Sequence, residues 1–261
     1  MKIKEDVLNV LSKGTISEDG LLFYLSEDKL DRKLYVDTNK VLESLGYKWN
    51  RKNKCHINKE DVSEKYYNMI DSGEWLDVKK EFQYFPTPEV IVNKMIDLVS
   101  EWKEGMKVLE PSCGSGNIAF NLPDIKLEID CIEINAEMAN KCQTNYPQNS
   151  NFYNIMNLDF IDYTNEDFKY DIIIANPPFT KLQSIKHFNK MVELLNNNGE
   201  LICIVPIGDI DENSSIKLRQ KFSKFIKDNN CEVIKLEAGD FKESGTMVLT
   251  VIVKYKKESE L

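Results

Sequence analysis

The chain has 261 residues, of which 42% are hydrophobic, and a formal net charge of −9. This length allows one large domain or two smaller ones, and the apolar content is sufficient for a sizeable core. The acidic balance excludes a uniformly basic nucleic-acid binder but is compatible with a local basic patch. No apolar run approaches the roughly 18 residues of a membrane span, and the amino terminus (MKIKEDVLNV) lacks an apolar signal core. We therefore expect a soluble cytoplasmic protein.

The cysteines are scattered along the chain without a CxxC pair, and three of them lie inside apolar runs. Such spacing is typical of reduced structural thiols, so we expect neither a metal site nor a disulfide framework. The six residues are Cys55, Cys113, Cys131, Cys142, Cys203 and Cys231.

Basic residues are concentrated near the amino end. Between Lys29 and Lys59 there are nine Lys or Arg residues against three acids, whereas residues 82–261 carry 19 basic and 27 acidic side chains. The change of composition near residue 80 predicts a small α+β module with its linker at residues 1–81 and a second domain at residues 82–261.

Within the first module the pattern predicts a strand at residues 21–25, a helix ended by Gly46, and a hairpin over residues 47–57. The hairpin sequence interleaves basic and aromatic residues, as in segments that hold phosphates and stack on bases. A solvated turn whose Trp49 and Ile57 enter a small core is an equal alternative. The candidate contacts to nucleic acid are Lys48, Trp49, Arg51, Lys52 and Lys54.

The second domain is organised around residues 170–180, which read YDIIIANPPFT. The apolar run is typical of a strand buried on both faces of a parallel sheet. The two prolines after Asn176 lack N–H donors and force the chain out of the sheet in a stiff loop that carries Phe179. Open α/β sheets place their chemistry in such loops.

Strands and helices alternate on both sides of this stretch. Thr87 is a candidate helix N-cap before Pro88, and a strand at residues 107–109 leads through the glycine turn EPSCGSGN into a predicted helix from Ile118. A strand at residues 129–132 ends in Glu133, which follows Gly116 by 17 residues, the position of an acid that binds ribose hydroxyls. Further predicted elements are a strand at residues 152–157 ending near Asp159, a helix at 187–195 capped by Gly199, a strand at 200–205, a helix at 215–229 and strands near 231–236 and 247–255. This alternation predicts a doubly wound, mostly parallel sheet.

Residues 84–256 resemble the class I, S-adenosylmethionine-dependent methyltransferases that act on adenine N6 in DNA. The segments YFPTPEVI, VLEPSCGSGNIAF, CIEIN, LDF and ANPPF are similar to that family's motifs X, I, II, III and IV, in the gamma order. The resemblance implies a Rossmann-like domain with a seven-stranded sheet. A target-recognition domain after the catalytic domain is expected in that family and is not found before Leu261. Residues 20–57 resemble a module that precedes such methylases in phage-type proteins.

The resemblance implies S-adenosylmethionine as cofactor and a flipped adenine of DNA as substrate, with a role in restriction-modification. The side-chain oxygen of Asn176 and the carbonyl of Pro177 would accept the two amine hydrogens, next to Pro178, and Phe179 would stack on the base. Phe241 is implied as a second stacking surface, with core packing as an equal alternative. The implied cofactor contacts are Tyr84, Phe85, Thr87, Glu110, Pro111, Cys113, Gly114, Gly116, Asn117, Glu133, Ile134, Asp159, Phe160 and Asn176.

Other substrates stay open at this point. NPPF and NPPY loops also occur in methyltransferases that modify guanine amines of RNA or glutamine side chains of proteins. A non-catalytic module that binds the cofactor or masks DNA is less favoured, because no element of the site is lost. The sequence does not indicate a recognition sequence or an oligomeric state.

Overall fold

The computed structural model describes residues 2–26, 30–75, 86–237, 240–241 and 248–259. The chain divides into two compact units, Met1–Glu81 and Phe82–Leu261. No helix in the described ranges is both long and apolar enough to cross a bilayer. The implied cofactor contacts Tyr84 and Phe85 lie outside these ranges.

In its described residues, the first unit packs three helices on a small antiparallel sheet whose strands follow the order β1-β2-β4-β3. The predicted hairpin is present, because β3 pairs antiparallel with β4. The elements are α1 (Glu5–Ser12), β1 (Thr15–Ile16), β2 (Leu22–Tyr24), α2 (Arg32–Ser44), β3 (Lys48–Asn50), β4 (Cys55–Ile57) and α3 (Ser63–Ser72).

Helix α2 ends where the sequence predicts. Gly46 adopts a left-handed φ of 94°, its N–H donates to the Glu43 carbonyl at 3.0 Å, and the Tyr47 N–H donates to the Leu42 carbonyl at 3.1 Å. This pair of bonds is a Schellman ending, which satisfies carbonyls that the helix leaves open. Gly46 suits the position because a side chain is disfavoured at such a φ.

The second unit is a seven-stranded sheet in the order β10-β11-β9-β8-β5-β6-β7. Strand β11 runs antiparallel to both of its neighbours, β10 and β9. The other four pairings, which join β9, β8, β5, β6 and β7 in that order, are parallel. The elements are α4 (Glu89–Asp97), β5 (Lys107–Glu110), β6 (Glu128–Glu133), α5 (Ala136–Asn145), β7 (Phe152–Asn157), β8 (Tyr170–Ala175), α6 (Gln183–Leu194), β9 (Leu195–Pro206), α7 (Lys217–Asp228), β10 (Glu232–Lys235) and β11 (Thr250–Lys256).

Strand β8 contributes side chains to a core on each face of the sheet. Ile172 and Ile174 belong to the cluster beneath α4 and α5, whereas Ile173 and Ala175 belong to the cluster beneath α6 and α7. Successive side chains of a strand point to opposite faces, so a continuous apolar run fits a central strand covered on both sides. The predicted doubly wound, mostly parallel fold is confirmed.

Two predicted helix features are wrong. In place of a helix from Ile118 the chain makes one 3₁₀ turn, Ala119–Asn121, because Pro123 holds the preceding Leu122 in an extended conformation. Gly199 does not cap a helix, since α6 ends at Leu194 and the chain passes directly into β9. Gly199 instead lies in a bulge against β8, where a Cβ atom would stand 3.0 Å from the Asp171 carbonyl oxygen.

Candidate functional site

An open cleft lies at the carboxyl ends of β5, β6 and β8, and contains about 630 Å³ of empty space. Part of this space is open to solvent. This edge of the sheet is where open α/β folds bind their ligands. The cleft walls include residues from the glycine turn after β5, from the end of β6 and from the loop after β8, among them Gly114, Glu133, Asn176 and Phe179.

The glycine turn bends as the sequence predicts. Gly114 and Gly116 adopt left-handed φ angles of 56° and 94°. A Cβ atom at Gly116 would lie 2.4 Å from the Phe120 ring, so both its conformation and its contact require glycine. The turn thereby keeps its backbone close to the cleft without side chains in between.

Glu133 is held by two backbone amides at the end of β6. Its Oε2 accepts from the Gly114 N–H and its Oε1 accepts from the Asn135 N–H, each at 2.8 Å. Burial raises the pKa of this carboxyl, and the two amide bonds oppose the rise. An ionised carboxylate offers about four acceptor positions, so two such bonds leave capacity for hydroxyl donors in the cleft.

Glu110 anchors the other end of the glycine turn. Its side chain is 1% exposed, and its Oε2 accepts from the Ala119 N–H at 2.8 Å. Burial raises the pKa of this carboxyl well above its ordinary value. Glu110 therefore joins the end of β5 to the 3₁₀ turn that follows the glycines.

Thr87 connects the two loops that form the cleft. Its Oγ1 accepts from Asn176 Nδ2 at 3.1 Å, and its carbonyl accepts from Asn117 Nδ2 at 3.3 Å. The prediction that Thr87 caps α4 is wrong, because Pro88 occupies the N-cap position and no side chain caps this helix. The Thr87 hydroxyl is directed to Asn176 instead.

The loop after β8 carries the remaining predicted residues. Pro177 is buried, and Asn176, Pro178 and Phe179 are half-buried along the cleft wall. Beyond Thr180, Lys181 and Leu182 have left-handed φ angles of 52° and 61°. Such angles are unfavourable for side chains of this size, and strained backbone of this kind is concentrated at functional sites.

Several predicted cofactor contacts lie away from the cleft lining. Asp159 Oδ1 accepts from the Ile161 N–H at 2.9 Å and caps a 3₁₀ turn. Phe160 is 2% exposed, and its ring centre lies 5.2 Å from that of His187 in the core. Ile134 is exposed beyond Glu133, and Pro111 is buried behind the glycine turn. Gly116 is likewise absent from the cleft lining. The cofactor roles of all the predicted contacts, inside and outside the lining, stay predictions.

Phe241 is 3% exposed and belongs to the apolar cluster beneath α4. This position corresponds to core packing, the alternative that the sequence left open beside base stacking. A ring this deeply buried does not present its face to a base in the described conformation.

The cleft also contains residues that sequence reasoning missed: Pro86, Ser112, Asn135 and Met138. Asn135 carries the clearest signal, since it lies two residues after Glu133 and its Oδ1 caps α5 by accepting from the Glu137 and Met138 amides. A capping asparagine shortly after a strand marks a helix start at the carboxyl edge of the sheet.

The basic hairpin of the first unit projects its charges to solvent. Lys48, Arg51, Lys52 and Lys54 are all exposed. Trp49 is 46% exposed and packs edge-on against His56, with ring centres 5.1 Å apart. The hairpin thus combines an exposed cationic turn with a partly accessible aromatic ring.

Comparison with known proteins identifies the second unit. The chain is 26% identical over 201 residues to modification methylase CviBIII of Paramecium bursaria Chlorella virus NC1A, covering 65% of this chain and 49% of the relative. It is 34% identical over 110 residues to the ribosomal RNA small subunit methyltransferase C of Shewanella piezotolerans, covering 36% and 32% of the two chains. The chain thus spans about half or less of the length of these relatives.

A solved structure shares the fold. The type I restriction-modification methyltransferase subunit of Streptococcus thermophilus has a TM-score of 0.55 at 20% identity, over 67% of this chain and 44% of that one. Residues 92–235, more than half of the chain, match the model for the methyltransferase small domain. The chain therefore belongs to the methyltransferase small domain family of class I enzymes, whose methyl donor is S-adenosylmethionine.

Proposed function

We propose that the protein transfers a methyl group from S-adenosylmethionine to the N6 amine of adenine in DNA. The observation that carries the proposal is the Asn-Pro-Pro-Phe loop, which faces the same cleft as Glu133 and the glycine turn. The similarity to a viral modification methylase supports DNA as the substrate. The same similarity supports a role in restriction-modification.

The cleft fits the cofactor on two observations. Gly114 lines the cleft with a left-handed φ and no side chain, which lets a ligand approach the backbone, and Glu133 presents a carboxylate with acceptor capacity where ribose hydroxyls bind in this fold. We propose that Glu133 accepts from the two ribose hydroxyls. The bound cofactor supplies an electrophilic methyl group on its sulfonium.

The loop after β8 provides what the amine requires. An exocyclic adenine amine is a poor nucleophile because its lone pair is delocalised into the ring. Asn176 Oδ1 and the Pro177 carbonyl would accept its two hydrogens and direct the lone pair towards the methyl group. The bond from Asn176 Nδ2 to the Thr87 hydroxyl supports this assignment, because it uses the carboxamide nitrogen as a donor within the protein.

Phe179 would bind the ring of the base. It is half-buried at the cleft wall and packs against the core, so its ring is supported on one side. A target base inside a duplex is unreachable, so it would leave the stack and lie against this ring. The ring face would also stabilise the positive charge that develops on the amine.

The basic hairpin would hold the DNA backbone. Its four exposed cations lie in the segment between Lys29 and Lys59, where nine basic residues stand against three acids. In residues 82–261, by contrast, 27 acids outnumber 19 basic residues, a balance that repels a polyanion. Lys and Arg contacts to phosphates supply affinity without reading bases. We propose Lys48, Arg51, Lys52 and Lys54 as phosphate contacts, with Trp49 beside them.

RNA is the second candidate substrate, favoured by the similarity to a ribosomal RNA methyltransferase. A protein glutamine is a third, since its amide needs the same acceptors as the adenine amine. An assay that measures the transfer of tritiated methyl groups to DNA, RNA and protein side by side distinguishes the three candidate substrates. We expect label in DNA and recovery of N6-methyladenine after digestion. Label confined to RNA or protein would overturn the DNA assignment.

A further inference from the structure

Three cysteines that are distant in sequence converge behind the cleft. Cys113 lies in the glycine turn, Cys131 in β6 and Cys142 in α5, and their sulfur atoms all lie within 4.8 Å of one another. The Sγ atoms of Cys113 and Cys142 are 3.9 Å apart. The glycine turn, β6 and α5 therefore bring three sulfur atoms, which are soft metal ligands, close together.

The cluster is shielded from solvent. Cys131 and Cys142 are fully buried, Cys113 is 4% exposed, and all three belong to the apolar cluster beneath α4. Cys113 also lines the cleft, so the cluster adjoins the proposed cofactor site. Within the described ranges, these three side chains form the one group of His, Cys, Asp or Glu donors close enough to share an ion.

The distance between the Cys113 and Cys142 sulfur atoms matches that around a metal ion bound by three thiolates. With a metal–sulfur distance of about 2.3 Å, sulfurs lie about 4.0 Å apart around a trigonal ion and about 3.8 Å apart around a tetrahedral one. The observed 3.9 Å separation falls between these values. Thiolates select soft ions with filled d shells, of which Cu(I) and Zn(II) are the cellular examples.

We propose that Cys113, Cys131 and Cys142 form a binding site for one thiophilic d¹⁰ metal ion, Cu(I) or Zn(II), behind the cofactor cleft. Binding replaces S–H bonds by metal–sulfur bonds and releases the thiol protons to solvent, and neither the sulfur nor the metal changes its oxidation state. Cu(I) would take the three sulfurs alone. Zn(II) would take a fourth ligand on the side of the cleft.

The test titrates the reduced full chain, without oxygen, with Cu(I) or with Zn(II) in competition with a chromogenic chelator. We expect one ion per chain, and X-ray absorption of the loaded protein should show three sulfurs at about 2.3 Å. Three sulfurs alone would assign the site to Cu(I), and an additional oxygen or nitrogen ligand would assign it to Zn(II). This measurement on the unaltered protein does not depend on how well any variant folds.

Cys131→Ala and Cys142→Ala should each lower the affinity at least tenfold, while Cys203→Ala should leave it unchanged. Cys203 is the matched control because it is equally buried but lies in β9, in the apolar cluster on the other face of the sheet. Circular dichroism verifies that each variant is folded. Absence of stoichiometric binding of both ions, a shell with fewer than three sulfurs, or equal losses in Cys203→Ala would each overturn the proposal.

Discussion

The carboxamide Nδ2 of Asn176 donates to the hydroxyl of Thr87 at 3.1 Å, across 89 positions of sequence. Thr87 precedes α4, and Asn176 follows the central strand β8. The bond therefore orients the proposed acceptor by means of a segment that lies outside the glycine turn and outside the Asn-Pro-Pro-Phe loop.

Replacing Thr87 with Val should lower the rate of methyl transfer about fivefold, because a hydrogen bond of about 1 kcal/mol that orients Asn176 is lost. The affinity for S-adenosylmethionine, measured by calorimetry, should stay within a few-fold of wild type. Thr87→Ser retains the hydroxyl and should restore most of the rate. Equal rates for the Val and Ser variants would contradict the orienting role.

Asn176→Ala should abolish methyl transfer while leaving the cofactor affinity near wild type, since the side chain is proposed to contact the substrate amine. Single-turnover assays and calorimetry measure the two quantities separately. Asn145→Ala, at an exposed position on α5, is the control and should behave as wild type. Substantial turnover by Asn176→Ala would show that another group accepts the amine hydrogens.

Glu133→Gln should weaken the binding of S-adenosylmethionine by roughly 10- to 100-fold, because a charged acceptor for the ribose hydroxyls is worth about 1.5–3 kcal/mol. Gln keeps the length of the side chain but brings an NH₂ group towards the amides of Gly114 and Asn135. Glu128→Gln, an exposed residue at the other end of β6, is the control. Unchanged affinity in calorimetry would remove Glu133 from the site.

The triple variant Arg51→Ala, Lys52→Ala, Lys54→Ala should bind DNA more weakly at low salt, and the slope of log affinity against log salt should fall by about one unit for each lost phosphate contact. Its sequence preference should change little. The control changes Lys217, Lys221 and Lys224 to Ala, which removes the same charge from exposed positions of α7. If both triple variants have the wild-type slope, the DNA is recruited elsewhere.

Burial lowers the pKa of His187 to about 4, against the opposing influence of Asp159, while Lys190 lowers it further. The unfolded chain therefore binds more protons than the folded one between about pH 6.5 and 4, so stability falls as the pH falls through this window. His187 accounts for roughly 3 kcal/mol at most of the unfolding free energy that is lost across this window. His187→Gln should reduce the loss of unfolding free energy in urea between pH 7 and pH 4.5. An unchanged loss would assign the acid sensitivity to other groups.

The sequence by itself determined the elements that depend on local pattern. The apolar run before Asn176, the Schellman ending at Gly46 and the glycine turn at Gly114 are properties of short segments, because prolines, glycines and alternating burial act on neighbouring residues. The strand that ends in Glu133 is likewise predicted from a short segment of the sequence. From these features followed the alternation of strands and helices, and hence the doubly wound sheet that places the loops at one edge.

Only the tertiary structure decided which side chains meet. Thr87 has the sequence of an N-cap, yet its hydroxyl binds Asn176, because the loop after β8 passes beside it. Cys113, Cys131 and Cys142 look like unrelated structural thiols, yet adjacent parallel strands and the helix packed on them bring the three sulfurs together. Sequence spacing contains no record of such contacts, since strand order and helix packing join residues that the chain keeps apart.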